Sequence, residues 1–296
     1  MTRASVRIVP RAGLPWLLVL PSLVLALAVI LYPFWEILRL SVSEVSRFGQ
    51  MRGFVGGANF ARVLTDPVFL AALLRTLEWT VAVVGGTVLI STGVALVLQQ
   101  DFWGRGVART LVLLPWAISL SMAAIVWLWA FDGDHGMVNA TLRQLGLLDS
   151  NVQWMARAGT AFPIEIGVGI LVSIPFTTTI LLGGLSSIPG DIYEAAAIDG
   201  ASRAQAFRHL TLPLLSGFVN IAIVLNVIYV FNSFPIIWVM TQGGPDNSTH
   251  ILVTYLYEVA FRIGRPGPAA AVSLVMLAIV FAFTMIYVRM QRERAT

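Results

Sequence analysis

The sequence predicts an all-α membrane protein with six transmembrane helices, on three observations. Hydrophobic residues fill 57% of the 296 positions and charged residues only 11%, with a mean hydropathy of +0.83, whereas soluble domains carry about 25% charged residues. Six apolar runs reach the ~20 residues that cross a hydrocarbon core about 30 Å thick. The segments between them are punctuated by Gly and Pro and hold no room for a soluble domain.

The runs lie at about 14–34, 79–98, 110–131, 166–185, 214–240 and 269–288. The first follows Arg3, Arg7 and Arg11 and contains Ala26-Leu27-Ala28, but it continues past that triplet to Tyr32-Pro33, further than a cleaved signal segment does. The expected organisation is an N-terminal tail at 1–13, one six-span domain at 14–288 and a C-terminal tail at 289–296. Even span number puts both termini on one side. Arginines crowd the short segments on that side, with three before the first span, two near Arg105, two near Arg203 and three at the end, which favours cytoplasmic termini. Spans three, four and five carry Pro115, Pro175 and Pro235 within or near their ends, where each removes a backbone donor and bends the helix. Between spans, short amphipathic pieces such as 137–148 are expected.

Composition excludes several chemistries. All 19 basic residues are arginine, so there is no lysine for a Walker A phosphate loop or a Schiff base. No cysteine occurs, and His135, His209 and His250 are scattered, so no catalytic residue and no metal site is assigned. The spans are almost empty of ionisable groups, unlike those of proton relays and ion-driven transporters. Glu78 and Glu165 fall at span ends, where headgroup water can solvate them. Neutral polar residues are more plentiful. Most such groups bond to a neighbouring helix or their own backbone, but Asn226, Asn232, Ser233 and Trp238 on span five are candidates for a solute pathway, because amides read hydroxyls and aromatic faces stack on flat apolar ones.

The segment at 189–213 is short, polar and helix-patterned. Pro189-Gly190 breaks the chain, and Asp191 with Glu194 offers a capping pair for a helix over about 192–199. Gly200 stops that helix, Ser202 with Gln205 repeats the capping pattern, and Pro213 opens span five. From the residues alone the segment is either a solvated connector or a compact knob that presents Glu194, Asp199, Arg203 and Arg208 among small alanines to a partner. Two arginines clamped between spans make a poor nucleic-acid site.

The string Tyr193-Glu194-Ala195-Ala196-Ala197-Ile198-Asp199-Gly200-Ala201, followed by Phe207 and Leu212-Pro213, resembles the EAA loop of carbohydrate-uptake permeases in binding-protein-dependent ABC importers. Leu114-Pro115-Trp116, Pro175-Phe176 and Gly243-Gly244-Pro245 extend the resemblance along all six spans, and Leu210 departs from it conservatively. The resemblance implies the type I ABC importer transmembrane fold. It implies that Glu194, Ala195, Ala196, Asp199, Gly200, Ala201 and Arg203 dock on an ATPase subunit, with Phe207, Leu212 and Pro213 anchoring the loop to span five. It further implies two ATPase subunits that hold ATP and Mg, a second permease subunit, usually non-identical but in some systems a copy of the same chain, an extracytoplasmic binding protein, and a place in the bacterial cytoplasmic membrane. This chain itself would bind no cofactor. The implied cargo is a sugar or sugar-like polyol moved by alternating access. Glycerol phosphate esters are the alternative cargo, and an ion-coupled secondary transporter is the alternative class.

Overall fold

A computed structural model of the chain describes residues 14–295; the expected tail at 1–13 lies outside them. The order is α1 (Leu14–Ser41), β1 (Ser43–Val45), β2 (Met51–Phe54), α2 (Ala58–Leu64), α3 (Pro67–Gln99), α4 (Arg105–Leu113) and α5 (Leu120–Ala130). It continues with α6 (Met137–Gln144), α7 (Ala158–Ser186), α8 (Gly190–Ile198), α9 (Arg203–Ala206), α10 (Leu212–Phe231), α11 (Phe234–Met240), α12 (Leu252–Tyr257) and α13 (Pro266–Ala295). Five of these helical stretches, with α9 and α10 taken as one, are long and apolar enough to cross a membrane, and the bent pair α4 and α5 makes a sixth.

Two of the expected uninterrupted spans are broken, and the sequence contains the reason for each. Pro115 sits in a tight 3₁₀ turn at Leu114–Ala117, and Ser119 then adopts extended backbone and accepts the Met122 N–H to start α5 afresh. The two pieces meet at 95°, so the run at 110–131 breaks where a mere bend was expected. The run at 214–240 likewise ends its first helix at Phe231; Asn232 donates to Ile228 O at 3.1 Å, and Pro235 falls in the first turn of α11. Other helices outrun their apolar cores. Asp66 caps α3 by accepting the Val68 N–H at 2.8 Å, with Pro67 at the first position, and α13 continues through the expected tail to Ala295.

The chain forms two compact units. The first comprises residues up to 63 together with 259–277. In it, α1 exposes its described apolar side chains from Leu18 to Tyr32 on every face. After α1 comes an antiparallel hairpin, β1 with β2, carrying an irregularity between Glu44 and Val45. Buried Asn59 on α2 donates to both Ser41 O and Ser43 O at 2.9 Å, pinning the chain where the helix gives way to the strand. No alternating apolar pattern announces this hairpin, and turns with amphipathic pieces were the expectation there.

The second unit comprises residues 64–258 and 278–296. Its centre is the parallel pair α3 and α7, which share the most extensive helix contact and meet in step from Thr87 with Ile170 to Gln99 with Leu185. Glycines allow the approach: a Cβ on Gly169 would sit 2.8 Å from the Trp79 ring, and one on Gly86 would sit 2.5 Å from Ile170. Trp79 is fully buried and donates from Nε1 to Val230 O of α10 at 3.0 Å. A second cluster, Leu181, Leu185 and Leu215, seats α10 against α7 near Gly184.

Candidate functional site

The segment 189–213 folds as the local signals require, with one correction. Helix α8 starts after Pro189 with no side-chain cap, and Asp191 lies within its first turn, so the capping pair of Asp191 with Glu194 is not the device that starts it. Gly200 then takes a φ of +77°, a left-handed conformation that costs other residues about 1–2 kcal/mol. Its N–H donates to Ala197 O at 3.1 Å and the Ala201 N–H to Ala196 O at 2.9 Å, which is the Schellman pattern. Ser202 and Gln205 close the expected capping box at the start of α9. A wide π turn over Phe207–Thr211 leads into α10, whose first turn holds Pro213.

The result is a protruding pair of short helices. Glu194, Ala195, Asp199, Gly200 and Arg203 are exposed on it, whereas Ala196 and Ala201 are half-buried. Ile198, which the sequence analysis did not single out, is 87% exposed at its tip; an apolar side chain held in water by a rigid turn is what an interface needs at its centre. At the base, the Tyr193 hydroxyl lies 3.0 Å from Thr211 Oγ1 and ties the first helix back to the π turn that leads into α10. Phe207 and Leu212 turn into an apolar groove that they share with Leu96, Val219 and Phe283, while Pro213 stays exposed.

The four pathway candidates do not converge. Asn226 is buried and lines a pocket of about 260 Å³ with Trp116, Ser173, Phe176, Leu225 and Tyr229. Asn232 lies six residues further, about 240° around the helix, and spends its amide on Ile228 O. Ser233 is buried at the break between helices, and Trp238 stacks on Phe234 with ring centroids 5.3 Å apart and touches Tyr257 at 4.6 Å. Neither those two nor Asn232 lines the pocket. Asn226 is oriented by Nδ2 bonds of 2.8 Å to Thr177 Oγ1 on α7 and to Ala222 O. Opposite it, Trp116 and Phe176 pack with centroids 5.7 Å apart at 36°. Trp116 and Phe176 entered the sequence analysis through the resemblance alone, and Tyr229 not at all; three elements bring them together, so no spacing marks them.

Far from the loop, α7 holds Glu165 in its second turn. Expected in headgroup water, it is instead fully buried, packed where α7 meets the segment that follows α11. In the connection before α6, exposed Asp132 accepts the His135 N–H at 2.7 Å and the Asp134 N–H at 3.1 Å. These bonds, that of His135 foremost, hold its carboxyl below the ordinary range.

Residues 87–295 match the family described as binding-protein-dependent transport system inner membrane component. A probable ABC transporter permease protein of Brucella suis biovar 1 is 60% identical over 276 residues, 93% of this chain and 96% of its own. The trehalose/maltose transport system permease protein MalF of Thermococcus litoralis is 33% identical over 283 residues, 96% and 95% of the two chains. The sn-glycerol-3-phosphate transport system permease protein UgpA of Yersinia pestis bv. Antiqua is 32% identical over 277 residues, 93% of each. In fold, the chain matches a crystal structure of a bacterial ABC transporter involved in import of the acidic polysaccharide alginate, with a TM-score of 0.85 over 96% of each chain at 22% identity.

Proposed function

The chain belongs to the inner membrane components of binding-protein-dependent transport systems, and from that premise we propose that it pairs with a second, non-identical permease subunit to enclose a pathway for a neutral sugar or polyol. It is an importer permease and not an enzyme. ATP and Mg would be held by two separate ATPase subunits, since this chain has no lysine for a phosphate loop. Both termini and the loop at 189–213 would face the cytoplasm, in keeping with the arginines of the short segments, and an extracytoplasmic binding protein would deliver the solute on the other side.

The observation that carries this reading is the protruding loop, with its Schellman glycine, its capped second helix and the exposed Ile198. A connector needs none of these. A knob that must transmit the closure of ATPase subunits needs a rigid tip and a firm base, and Tyr193 with Thr211 supplies the base. ATPase closure would then tilt α10 through Leu212 and Pro213, and the pathway would alternate between its two sides.

The pocket around Asn226 supports the solute class. Trp116, Phe176 and Tyr229 offer apolar ring faces, and Asn226 and Ser173 offer hydrogen-bonding groups. At about 260 Å³ it falls just short of usual small-molecule sites of about 300–1,000 Å³, as befits half of a site that a second subunit completes. Its lining carries no charge, which favours a neutral solute over a phosphate ester, for which a guanidinium clamp is the usual partner. The relative named for sn-glycerol-3-phosphate makes that ester the competitor to include.

The test is purification of the tagged chain from its own membrane in mild detergent, followed by reconstitution and uptake of labelled disaccharides, polyols and glycerol phosphate. A co-purifying P-loop ATPase and sugar uptake are the expected result. Uptake of the phosphate ester alone would overturn the solute class, and an intact chain with no ATPase in any gentle condition would overturn the docking role of the loop.

A further inference from the structure

We infer that Glu165 is held as a neutral carboxylic acid and is the first donor of a three-link clasp that fastens α7 to the segment after α11. The carboxyl Oε1 lies 2.7 Å from Thr241 Oγ1, Thr241 Oγ1 lies 2.6 Å from Thr249 Oγ1, and Thr249 Oγ1 lies 2.9 Å from Gly244 O. The chain of contacts ends on a carbonyl, which can only accept. Thr249 must therefore donate to Gly244 O, and Thr241 must donate to Thr249. The longer contact of Thr241 Oγ1 with Ile237 O, at 3.2 Å, needs no hydrogen, because that carbonyl already accepts the Thr241 and Gln242 N–H groups. Both hydroxyl protons are then used by the short contacts, and the remaining link requires a proton from Glu165. If the carboxyl is ionised, two protons serve three links, and one short contact loses its hydrogen.

The other carboxyl oxygen points to the same answer. Oε2 is buried with no hydrogen-bond partner. An unpartnered carbonyl oxygen of a neutral acid is a modest cost in such a place, whereas an unpartnered anionic oxygen is a severe one. No counter-charge offsets it: among the described residues no ion pair includes Glu165. The charged groups on the elements around it are otherwise placed. On α3, Arg75 donates to Asn247 O at 2.7 Å, with Glu78 one turn on. Arg105 and Arg109 of α4 both donate to Leu98 O, at the other end of α3. Helices α5 and α11 carry no titratable side chain, and the nearest titratable group on α10 is Tyr229. In the fastened segment itself stand Asp246 and buried His250, whose Nδ1 lies 3.1 Å from Thr254 Oγ1.

The clasp spans residues that the chain keeps far apart. Thr241 is the residue immediately after α11, and Gly244 and Thr249 belong to the turn that follows, where Gly243 donates its N–H to Thr241 Oγ1 at 3.3 Å. Glu165 is about 12 Å along α7 from Ser173 of the pocket, on the side away from the loop at 189–213. The clasp thus closes the end of the bundle through which, on the importer reading, solute would enter. Raising the pH removes the proton to solvent; the carboxylate then takes the Thr241 hydroxyl proton, the Thr241–Thr249 contact loses its hydrogen, and the turn after α11 loosens. Each pH unit above the midpoint cuts the neutral fraction about tenfold.

The clasp itself does not rest on the importer reading; its effect on uptake does, and the experiment separates them. The probe is the infrared spectrum of the purified full-length chain, parent against Glu165→Gln, whose amide can still donate to Thr241. The expected difference at neutral pH is the carbonyl stretch of a protonated acid, lost in the variant; a carboxylate stretch in its place overturns the inference. In reconstituted vesicles, parent uptake should change steeply on alkalinisation while Glu165→Gln stays flat. Identical pH profiles for the two proteins also overturn it, since His250 and Asp246 are present in both. Thr241→Val, which deletes the middle link, should show the high-pH behaviour at every pH. A protonated band together with absent uptake counts against the importer reading alone.

Discussion

The two ends of the second unit are built by opposite rules. At the loop end, nearly every hydrogen bond is local: Gly200 to Ala197, Ala201 to Ala196, Ser202 with Gln205. At the other end the bonds leap along the chain, from the Leu252 N–H to Thr76, from Tyr255 to Asp66 and between Glu165 and Thr241. One end is a self-supporting protrusion; the other exists only when distant segments meet. A part that has to seat in a partner benefits from holding its shape alone, whereas a part that opens and closes benefits from bonds that form only in one arrangement.

Substitutions sharpen this contrast. Gly200→Val forces a β-branched residue into the left-handed region and should abolish uptake while the protein still accumulates and melts normally; full uptake would show that the tip geometry is irrelevant. Trp79→Ala acts in the reverse sense. It removes a fully buried ring and the bond to Val230 O, and thermal melting in detergent should report a loss of about 3–5 kcal/mol. Asn226→Ala frees Thr177 from its bond to α10 and should cost about 1–3 kcal/mol, with KM for the solute rising more than kcat falls. Ser202→Ala should cost about 1 kcal/mol of local helix stability, seen as faster hydrogen exchange over 202–206 and not in the global melt.

The smallest effect is a pH effect on the connection before α6. The depressed carboxyl of Asp132 contributes stability that is present above its unfolded pKa and lost as the pH falls through the folded one. Acidification below the ordinary carboxylate range should therefore open the turn at 132–136 to a protease before anything else changes. Uniform resistance at low pH would show that the bonds from His135 and Asp134 do not hold it.

The same contrast explains what was legible in advance. Gly200, the Ser202 and Gln205 pair and Pro213 are short-range devices, and the sequence displays them at fixed offsets. The six apolar runs were legible because the bilayer demands length. The breaks at 114–119 and 232–233 were not, since a proline in an apolar run marks a bend or a full break with the same letters, and neighbouring helices decide. Trp116, Phe176 and Tyr229 come from three elements, so their convergence had no linear signature. Glu165 was misplaced because hydropathy records the cost of a carboxylate but not the threonine that meets it.

The glycine contacts between α3 and α7 have a kinematic consequence. Where the Gly169 backbone rests on the Trp79 ring and Gly86 on Ile170, no layer of long side chains remains to change rotamers as the surfaces slide. The two helices therefore travel as a single beam. Rotation during a transport cycle is left to the joints where the backbone ladder is already interrupted, the 95° elbow between α4 and α5 and the step between α10 and α11. A disulfide engineered across the beam, in a chain with no cysteine of its own to interfere, should leave transport intact, while one that locks either elbow should stop it.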